Sequence, residues 1–523
     1  MYDKNHLACR LRSASLGREA MGFAELAEQR GRPVVTYEAL FEAAERCAKA
    51  LIGAGLQPGD RVAAQVEKSI EAIELYLGSV LAGGVFLPLN TAYTVAEVSY
   101  FLGDAEPRVF VCDPTRLEAL SGVAAEAGVG AVLTLAADGS GSLTDAVAAQ
   151  DAGFEAVPRE AEDLAAILYT SGTTGRSKGA MLTHANLASN AEVLTESWRF
   201  TAEDVLIHAL PIFHTHGLFV ATNVTLMSGA RLIFRSRFDA EAVLGDMAGA
   251  TALMGVPTFY TRLLDCPGLD REAAAGMRVF ISGSAPLLAE THRQWTERTG
   301  HAILERYGMT ETGMNTSNPY DGERRAGTVG FPLPGIEIRI TDPESGAALP
   351  PGKVGGIEVR GPNVFKGYWR MPEKTAEEMR EDGFFITGDV GVVDAESYIA
   401  IVGRSKDLII SGGYNIYPKE IEALIDDLAG VRESAVIGLP HPDFGEGVAA
   451  VIVPEGGSRL TEEKVAAALK DDLARFKQPK RIYFETELPR NTMGKVQKNL
   501  LRDRYKDAFA VSASPAAGAR ASG

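Results

Sequence analysis

Cysteine is scarce in this sequence, with four residues in a chain of 523. Cys9, Cys47, Cys112 and Cys266 form no CxxC pair and no close cluster with histidine. This spacing argues against a disulfide-stabilised scaffold and against a structural zinc site, and it is typical of a reducing compartment. We therefore expect a cytoplasmic protein.

The sequence also lacks an apolar run long enough to span a bilayer, which takes about 20 residues. The most apolar stretch, residues 75–89, is shorter and contains Gly83, Gly84 and Pro88. It predicts a buried helix, a Gly-Gly turn and a buried strand. No apolar run follows the basic residues near the N-terminus, so we expect no secretory signal, while a transit peptide stays open.

Positive charge is in deficit, with 52 Lys and Arg against 69 Asp and Glu and a net charge of -17. This balance argues against a general nucleic-acid or anionic-membrane binder. Basic groups for a small polyanionic substrate must therefore be focused in one site. Hydrophobic residues make up 46% and charged residues 23% of the chain, which excludes wholesale disorder. The length suggests about three packed units.

Helical patterns alternate with short apolar runs through the first 160 residues, and apolar strands recur at 165–169, 230–234 and 279–281, which predicts an α/β layered fold with mostly parallel strands. Gly and Pro turns separate alternating runs from residue 336, which indicates a small antiparallel sheet or a distorted β-barrel subdomain. A compact α+β unit follows a polar segment. We predict an N-terminal domain at 1–403, a hinge at 404–407, a C-terminal α+β domain at 408–510 and a disordered tail at 511–523.

The strongest local signal is the loop at residues 169–179, YTSGTTGRSKG, which follows an apolar strand at 164–168. Its glycines let backbone N–H groups approach a phosphate, its hydroxyls add donors, and Arg176 and Lys178 add positive charge. The spacing differs from GxxxxGK[ST], so this is not a Walker loop. The order of residues favours a phosphate-binding loop over a flexible polar surface loop.

This loop resembles the phosphate loop of the adenylate-forming, acyl-activating superfamily, which includes acyl-CoA synthetases, luciferases and adenylation domains. Further segments match the motifs of this superfamily in order, over about residues 20–505. These segments are LPIFHTHG at 210–217, SGSAP at 282–286, ERYGMTET at 305–312, GYW at 367–369, FITGD at 385–389, GRSKD at 403–407, SGGYN at 411–415 and PRNTMGK at 489–495.

The resemblance implies which residues bind the two co-substrates, ATP and CoA. Those expected to bind ATP or AMP are Thr170, Ser171, Gly172, Thr173, Thr174, Gly175, Lys178, Gly283, Ser284, Ala285, Pro286, Glu305, Arg306, Tyr307, Gly308, Met309, Thr310, Asp389 and Arg404. Those expected to bind CoA are Ser411, Gly412, Gly413 and Tyr414. Lys406 is the expected hinge of a mobile C-terminal domain.

The resemblance also implies a two-step reaction, in which a carboxylate attacks the α-phosphorus of ATP and a thiol then attacks the acyl-AMP. Lys495 would bridge the carboxylate and the α-phosphate or ribose oxygens, and Glu311 would hold Mg²⁺. Asp389 would bind the ribose, and His214 would act as a gate between the two substrate routes. Each of these residues also has a simpler interpretation. Lys495 can be a solvated lysine and Glu311 a surface carboxylate, while Asp389 can be a turn residue and His214 a core histidine.

Several positions bear on the identity of the carboxylic acid substrate. An adenylation domain for amino acids carries an acidic residue in the aromatic/His segment, and residues 212–216 contain none. Taken whole, the chain resembles malonyl-CoA synthetases, notably at 89–94, 307–320 and 366–374. A dicarboxylate needs a partner for its second charge. We expect Arg278 to supply it, with Ser282 beside it and with Met254 and Val256 lining the acyl pocket.

The predicted function is an ATP-dependent synthetase for malonyl-CoA and, second, methylmalonyl-CoA. The alternatives are a ligase for another short or aromatic acid, a stand-alone adenylation enzyme that loads a carrier protein, and a catalytically dead nucleotide-binding protein. Lys495, Glu311 and Asp389 are intact, which argues against the last. The expected partners are small molecules, with neither nucleic acid nor membrane, and the expected state is a monomer or homodimer.

Overall fold

The computed structural model of the chain describes residues 2–29, 31–170, 177–343, 345–411, 414–442, 444–470, 473, 475–491 and 494–509. Side-chain caps determine where many of its helices begin. Thr36 and Ser69 each accept a hydrogen bond from the backbone N–H three residues on, which would otherwise be unpaired. Thr94 and Glu97 form a capping box. The α-helices of the described residues are α1 (His6–Ser13), α2 (Tyr37–Gly53), α3 (Ile70–Leu81), α4 (Val95–Ala105), α5 (Leu117–Glu126), α6 (Ser142–Ala148), α7 (His184–Ser197), α8 (Asn223–Ser228), α9 (Ala240–Asp246), α10 (Pro257–Leu264), α11 (Ala289–Thr299), α12 (Pro372–Glu378), α13 (Pro418–Asp426), α14 (Glu462–Leu469) and α15 (Lys498–Tyr505).

The strands are short, and many are apolar along their whole length, as strands covered on both faces are. The described strands are β1 (Gly22–Leu26), β2 (Val34–Thr36), β3 (Arg61–Gln65), β4 (Val85–Pro88), β5 (Val109–Cys112), β6 (Ala131–Thr134), β7 (Leu164–Thr170), β8 (Lys178–Thr183), β9 (Val205–His208), β10 (Arg231–Phe234), β11 (Ala252–Gly255), β12 (Val279–Ser282), β13 (Leu304–Met309), β14 (Gly313–Ser317), β15 (Phe331–Pro332), β16 (Glu337–Thr341), β17 (Gly355–Arg360), β18 (Gly367–Tyr368), β19 (Phe385–Val393), β20 (Ile399–Arg404), β21 (Ile409–Ser411), β22 (Tyr414–Ile416), β23 (Val431–His441), β24 (Gly445–Pro454) and β25 (Arg481–Phe484). The helix, turn and strand predicted at 75–89 are confirmed by α3 and β4.

The chain divides into two compact units. The larger contains the residues up to Lys353, together with Ile357–Thr387 and Val393–Ala400. The smaller contains Val354–Gly356, Gly388–Val392 and the residues from Ile401 onward. The predicted mixed α/β fold with a large N-terminal and a small C-terminal domain is confirmed. Strands β16, β17, β19 and β20 fall in the region predicted as a small sheet or barrel.

A nine-stranded sheet of the larger unit carries most of the predicted site residues. Its order is β15-β14-β13-β12-β11-β9-β10-β1-β2. Strands β1, β10, β9, β11, β12 and β13 run parallel, β2 and β14 pair antiparallel with the two outermost of them, and β15 pairs antiparallel with β14. The carboxyl ends of the parallel strands therefore meet at one edge, where ligands bind in α/β sheets.

A seven-stranded sheet of the same unit has the order β18-β8-β7-β4-β3-β5-β6. Strand β7 leads into the predicted phosphate loop, and the antiparallel β8 resumes at Lys178. Phe101, Leu102 and Phe110 belong to a buried apolar cluster on this sheet. The loop is thus anchored on both sides by buried strands.

The smaller unit is built on a sheet of order β22-β21-β24-β23, with β25 parallel to β24. Along β23, Val436 faces one apolar cluster with helices α13 and α14, and Ile437 faces another with helix α15. This alternation is what a strand covered on both faces requires. Across the described ranges, no helix is both long enough and apolar enough to cross a bilayer.

Candidate active site

Buried polar residues gather at the carboxyl ends of β11, β12 and β13. In the register of the sheet, Ser282 lies beside Gly255 on one side and Glu305 on the other. Met254 is fully buried within β11, and Val256 follows that strand. The parallel sheet thus brings these predicted substrate and nucleotide residues to one edge.

The loop after β12 approaches β13 closely at Gly283. A Cβ atom at this position would overlap the guanidinium of Arg306, so any other residue would displace that side chain. Ser284 adopts a φ of 72°, a left-handed conformation that is uncommon for a residue other than glycine. Its hydroxyl lies 3.2 Å from Nδ1 of His216. Backbone strain of this kind clusters at functional sites.

The hairpin of β13 and β14 carries the second half of the nucleotide motif. A Cβ atom at Gly308 would overlap the carbonyl oxygen of Gly313, so the two strands can approach only because residue 308 is a glycine. Glu305 is buried, and its Oε1 accepts a hydrogen bond from the N–H of Leu287 at 3.0 Å. Through this hydrogen bond, Glu305 ties the adenine-side loop to the hairpin. Tyr307, Met309 and Thr310 of the same hairpin are half-buried.

The two histidines of the 210–217 motif differ in environment. His214 is half-buried, with its ring centroid 4.6 Å from that of Phe213. His216 is buried, and burial together with the positive charge of Arg306 holds its pKa well below the ordinary value. His216 is therefore a neutral imidazole at pH 7, and the prediction that His214 acts as a gate stays a prediction.

A second cluster surrounds Glu311, a residue that is 5% exposed. The Thr170 hydroxyl lies 3.4 Å from Oε1 of Glu311, and the Tyr368 hydroxyl lies 3.1 Å from the same atom. Tyr368 also approaches Oε2 of Glu378 at 2.7 Å. One hydroxyl proton can satisfy only one of these two carboxylates at a time. Burial and both carboxylates raise the pKa of Tyr368 above its ordinary value.

Glu378 is held by two lysines. Its Oε1 lies 3.1 Å from Nζ of Lys178 and 3.1 Å from Nζ of Lys374. Burial alone would raise the pKa of Glu378, but hydrogen bonds from Tyr368, Lys374 and Lys178 outweigh it and hold the pKa below its ordinary value. Lys178 also lies 3.9 Å from the ring centroid of Tyr368. The predicted phosphate-binding lysine is thus paired with a carboxylate in this structure.

Glu311 suits a metal ion that arrives with phosphates. Among the described residues, no group of three or more His, Cys, Asp or Glu could hold a metal ion by itself. Mg²⁺ does not need such a group, because it is bound by one or two carboxylates together with substrate phosphates and water. Since Tyr368 can donate to Glu378 instead, the carboxylate of Glu311 can take a hard cation, and the residues fit Mg²⁺.

The placement of Arg278 contradicts the prediction that it binds the second carboxylate of the substrate. Arg278 precedes β12, and its Nε and Nη2 donate to the two carboxylate oxygens of Asp204 at 2.6 and 2.9 Å. Its Nη1 donates to the carbonyl of Trp198 at 2.9 Å. Arg278 therefore lies at the amino ends of the strands. Ser282 is four residues further along β12, about 13 Å away at 3.3 Å per residue.

The smaller unit holds the remaining described candidates. Asp389 is buried, and its Oδ1 lies 3.0 Å from Nε of the more exposed Arg404. Lys406 lies in a single 3₁₀ turn, Ser405–Asp407. Ser411 is buried at the end of β21. Lys495 is exposed, and its backbone N–H donates to Oδ1 of Asn491 at 2.9 Å.

Several predicted residues lie outside the described part of the chain. These are Ser171, Gly172, Thr173, Thr174, Gly175, Gly412 and Gly413. The sequence reasoning missed the role of Glu378, which stands in an acidic helix with no motif around it. It also assigned no role to Tyr368, although the GYW motif marks that position.

Comparison with known proteins supports the motif assignment. The family model for the AMP-binding enzyme matches residues 17–369, and the model for the AMP-binding enzyme C-terminal domain matches residues 420–495. The crystal structure of ATP-bound MatB from Rhodopseudomonas palustris is 59% identical, with a TM-score of 0.94, and the match covers 97% of this chain and 100% of that one.

Two curated relatives have the same sequence identity with this chain. A malonate–CoA ligase from Arabidopsis thaliana is 38% identical over 484 residues, which is 86% of this chain and 79% of that protein. A feruloyl-CoA synthase from Amycolatopsis sp is 38% identical over 484 residues, 92% of this chain and 96% of that protein. Since the two family models together match residues 17–369 and 420–495, the chain belongs to the AMP-binding enzyme family.

Proposed function

We propose that this chain is an ATP-dependent malonate–CoA ligase of the AMP-forming type. The observation that carries this proposal is the 59% identity with MatB over 97% of the chain, together with the 38% identity with a malonate–CoA ligase. A carboxylate oxygen of malonate attacks the α-phosphorus of ATP, and pyrophosphate leaves. The thiol of CoA then attacks the acyl carbon of malonyl-AMP, loses its proton and expels AMP.

The larger unit supplies most of the groups to which we assign ATP binding. We assign the phosphates to the loop at 170–175 and to Lys178, and the adenine to Tyr307 and the loop at 283–286. Glu311 would hold Mg²⁺, which neutralises phosphate charge during the transfer when it is bound. His214 is assigned as the gate between the carboxylate and thiol routes. These assignments rest on the motif matches and on the geometry at the two sheet edges.

The smaller unit supplies the remaining roles. Asp389, oriented by Arg404, would accept hydrogen bonds from the ribose hydroxyls. Lys495 would stabilise the negative charge that develops on the carboxylate and α-phosphate oxygens, which is the usual source of catalysis in phosphoryl transfer. Ser411, Gly412, Gly413 and Tyr414 are assigned to CoA, and Lys406 to the hinge. A monomer or homodimer in the cytoplasm completes the proposal.

A panel of acids tests this function. Purified protein is given ATP, Mg²⁺, CoA and one acid, and AMP and the CoA ester are measured. Malonate should give the highest kcat/KM, with methylmalonate next, and omission of the acid should abolish AMP release. A higher kcat/KM for acetate, propionate or succinate would overturn the choice of malonate but keep the ligase.

A second candidate is a CoA ligase for an aromatic acid. The feruloyl-CoA synthase is as similar in identity as the malonate–CoA ligase, and it covers more of this chain. Ferulate and benzoate therefore belong in the panel. The carrier-loading alternative is tested in parallel by replacing CoA with a phosphopantetheinylated carrier protein, which should give no acyl transfer if CoA is the natural acceptor.

A further inference from the structure

Lys68 is a buried lysine that forms no ion pair with a carboxylate of the described residues. It is 7% exposed and lies between β3 and α3. Its Nζ donates to the carbonyl oxygen of His208 at 2.8 Å and lies 2.9 Å from Nδ1 of the same residue. The ring centroid of Phe234 is 4.6 Å from Nζ. Since a lysine is seldom buried unless it is paired, its contacts with His208 call for a role of their own.

The hydrogen bonds around His208 define its tautomer. Nε2 lies 2.9 Å from the carbonyl oxygen of Gly217, which can only accept, so Nε2 must carry the proton. Burial holds the pKa of His208 well below its ordinary value, so the ring is neutral at pH 7 and Nδ1 is an acceptor. Nζ of Lys68 must therefore donate to Nδ1. Burial also lowers the pKa of Lys68 well below its ordinary value, but an ammonium and an amine can both donate this bond.

This network closes the neck of the His214 loop, by which we mean residues 209–217. His208 ends β9, and its hydrogen bond to Gly217 joins the start of the loop to its end. A Cβ atom at Gly217 would overlap the carbonyl oxygen of Pro211, so the loop is folded tightly on itself. The position of His214 therefore depends on the hydrogen bonds at the neck.

The far side of the neck leads directly into the candidate site. Gly217 belongs to a short π-helix, His216–Thr222, and such helices are frequent at functional sites. The Thr222 hydroxyl donates to the carbonyl of Gly217 at 3.0 Å, which makes this carbonyl the meeting point of the network. Nδ1 of His216 lies 3.2 Å from the hydroxyl of Ser284. A shift of the neck would thus be transmitted to the site.

We propose that Lys68 is a positioning residue for the His214 loop and acts through His208. It holds the loop from another sheet, because Lys68 follows β3 of the seven-stranded sheet and His208 ends β9 of the nine-stranded sheet. By donating to Nδ1, it keeps His208 in the Nε2–H tautomer that binds Gly217. Sites that orient reacting groups need such support. The inference rests on the proposed function for the role of His214, but it does not depend on which acid is the substrate.

Steady-state kinetics test the role of Lys68 with the acid that the wild type uses best. Lys68→Met removes the donor and should lower kcat/KM for the acid by about 10- to 100-fold, the scale of a misplaced reacting group. The KM for ATP should stay within about threefold, because the phosphate loop and the β13–β14 hairpin lie on other elements. Glu67→Gln, at the exposed preceding position, is the matched control and should keep the wild-type kcat/KM. An unchanged kcat/KM in Lys68→Met, or an equal loss in ATP binding, overturns the proposal.

A double-mutant cycle separates control of the tautomer from packing. In His208→Gln, an amide that has no tautomers can donate to Gly217 without help from Lys68, so kcat/KM should stay within about fivefold of the wild type. In this background, Lys68→Met should cost at most about threefold, far less than in the wild type. If the two substitutions are additive, the proposal is wrong. If Lys68→Met does not fold, His208→Phe takes its place, and an equal kcat/KM for His208→Phe and His208→Gln overturns the proposal.

Nitrogen NMR of the ¹⁵N-histidine-labelled protein gives a readout that does not depend on activity. The His208 signals are identified by their loss in His208→Gln. In the wild type they should show a protonated Nε2 and an unprotonated Nδ1, and the Nδ1 signal should shift in Lys68→Met as its hydrogen bond is lost. A protonated Nδ1 in the wild type overturns this inference alone. A wild type that activates no acid but shows the expected tautomer overturns the proposed function and supports the pairing of Lys68 with His208.

Discussion

Lys495 is the residue at which the two half-reactions should separate. Its backbone is fixed by reciprocal hydrogen bonds with Asn491, and its side chain is exposed. Lys495→Ala should lower formation of malonyl-AMP by at least ~10²-fold, the scale for removing one preorganised charge stabiliser. The variant should still convert supplied malonyl-AMP and CoA to malonyl-CoA. Pyrophosphate release measures the first step, and CoA ester formation from the adenylate measures the second.

Lys498 provides the matched control for this prediction. It lies in the same segment, and its Nζ forms an ion pair with Oε1 of Glu422 at 2.6 Å. Lys498→Ala should leave both half-reactions close to the wild-type rates. Equal losses of both steps in Lys495→Ala would contradict the assignment to adenylate formation.

Arg278 and Arg306 show which part of the site could be predicted from the sequence. The ERYGMTET motif locates Arg306, and the apolar run that follows Arg278 indicates that this arginine begins a strand. The sequence does not show that Asp204 lies beside Arg278, because that pair joins the starts of two strands far apart in the chain. It also does not show that Arg306 is buried, because this depends on the pairing of β13 with β12 and β14.

At the scale of elements, strand β8 and helix α12 meet in the Lys178–Glu378 ion pair. Because Lys178 is assigned to the phosphates of ATP, Glu378 competes with the nucleotide for the same cation. Glu378→Gln should therefore lower the KM for ATP by about 2- to 5-fold, the range expected for loss of a partly exposed ion pair. The measurement is the initial rate against ATP concentration at saturating malonate and CoA.

The neighbouring residue offers a control for Glu378. Glu377 pairs with Lys374 at 2.8 Å and is largely exposed. Glu377→Gln should leave the KM for ATP near the wild-type value. A higher KM in Glu378→Gln would mean that this carboxylate supports nucleotide binding, for example by orienting Tyr368.

The end of helix α13 should make the stability of the smaller unit depend on pH. Burial, with the charges of Glu422 and Glu433, raises the pKa of Asp426 from 3.8 to about 7. The folded state therefore holds a proton between about pH 4 and 7 that the unfolded state releases. The free energy of unfolding should fall as pH rises through this window, by up to about 4 kcal/mol in total, and it should be constant above the window.

Asp426→Asn should remove this dependence, because the amide is never charged. The variant should be more stable than the wild type at pH 8, and the difference should be smaller at pH 5. Hydrogen exchange of the α13 amides or urea unfolding at the two pH values gives the comparison. Asp427→Asn, at the exposed next position, is the control, and a variant profile that still falls with pH would assign the effect to another group.

Element boundaries show the limits of local sequence patterns. The pattern predicts a strand at 433–438, whereas β23 runs over Val431–His441. The additional residues are held by ladder pairs with β24, from Val431 opposite Pro454 to His441 opposite Gly445. Tertiary pairing of this kind extends a strand beyond its apolar core, and it is not present in the local sequence.

At the scale of the whole molecule, the alternation of helices and strands was sufficient to predict the α/β class. The order of the strands was not predictable. Strand β1 pairs with β10, about two hundred residues later, through the register of Ala24 with Leu232. Such long-range pairing depends on how the remaining helices pack. The sequence therefore does not show which strand ends meet at the edge of the nine-stranded sheet where the candidate site lies.

The division into two units gives the last prediction a physical basis. The chain enters the smaller unit for good at Ile401, and the Ser405–Asp407 turn follows directly. Within the smaller unit, Asp407 is held by Arg502, whose Nη2 lies 2.6 Å from Oδ1. A residue between a strand and such an anchored position can absorb a change of φ and ψ, which is the property of a hinge.

Lys406→Pro should impair CoA transfer while sparing adenylation. Proline fixes φ near −65° and removes an N–H, so a rotation about residue 406 becomes restricted. The rate of CoA ester formation from malonyl-AMP should fall at least ~10-fold, as expected when a conformational step is blocked. Pyrophosphate release in the first turnover should stay close to the wild type. The Lys406→Ala variant keeps both the freedom of φ and the N–H, so its rate of CoA ester formation should be normal. Equal losses in the proline and alanine variants would assign the effect to the lysine side chain. A normal rate of CoA ester formation in Lys406→Pro would place the hinge elsewhere.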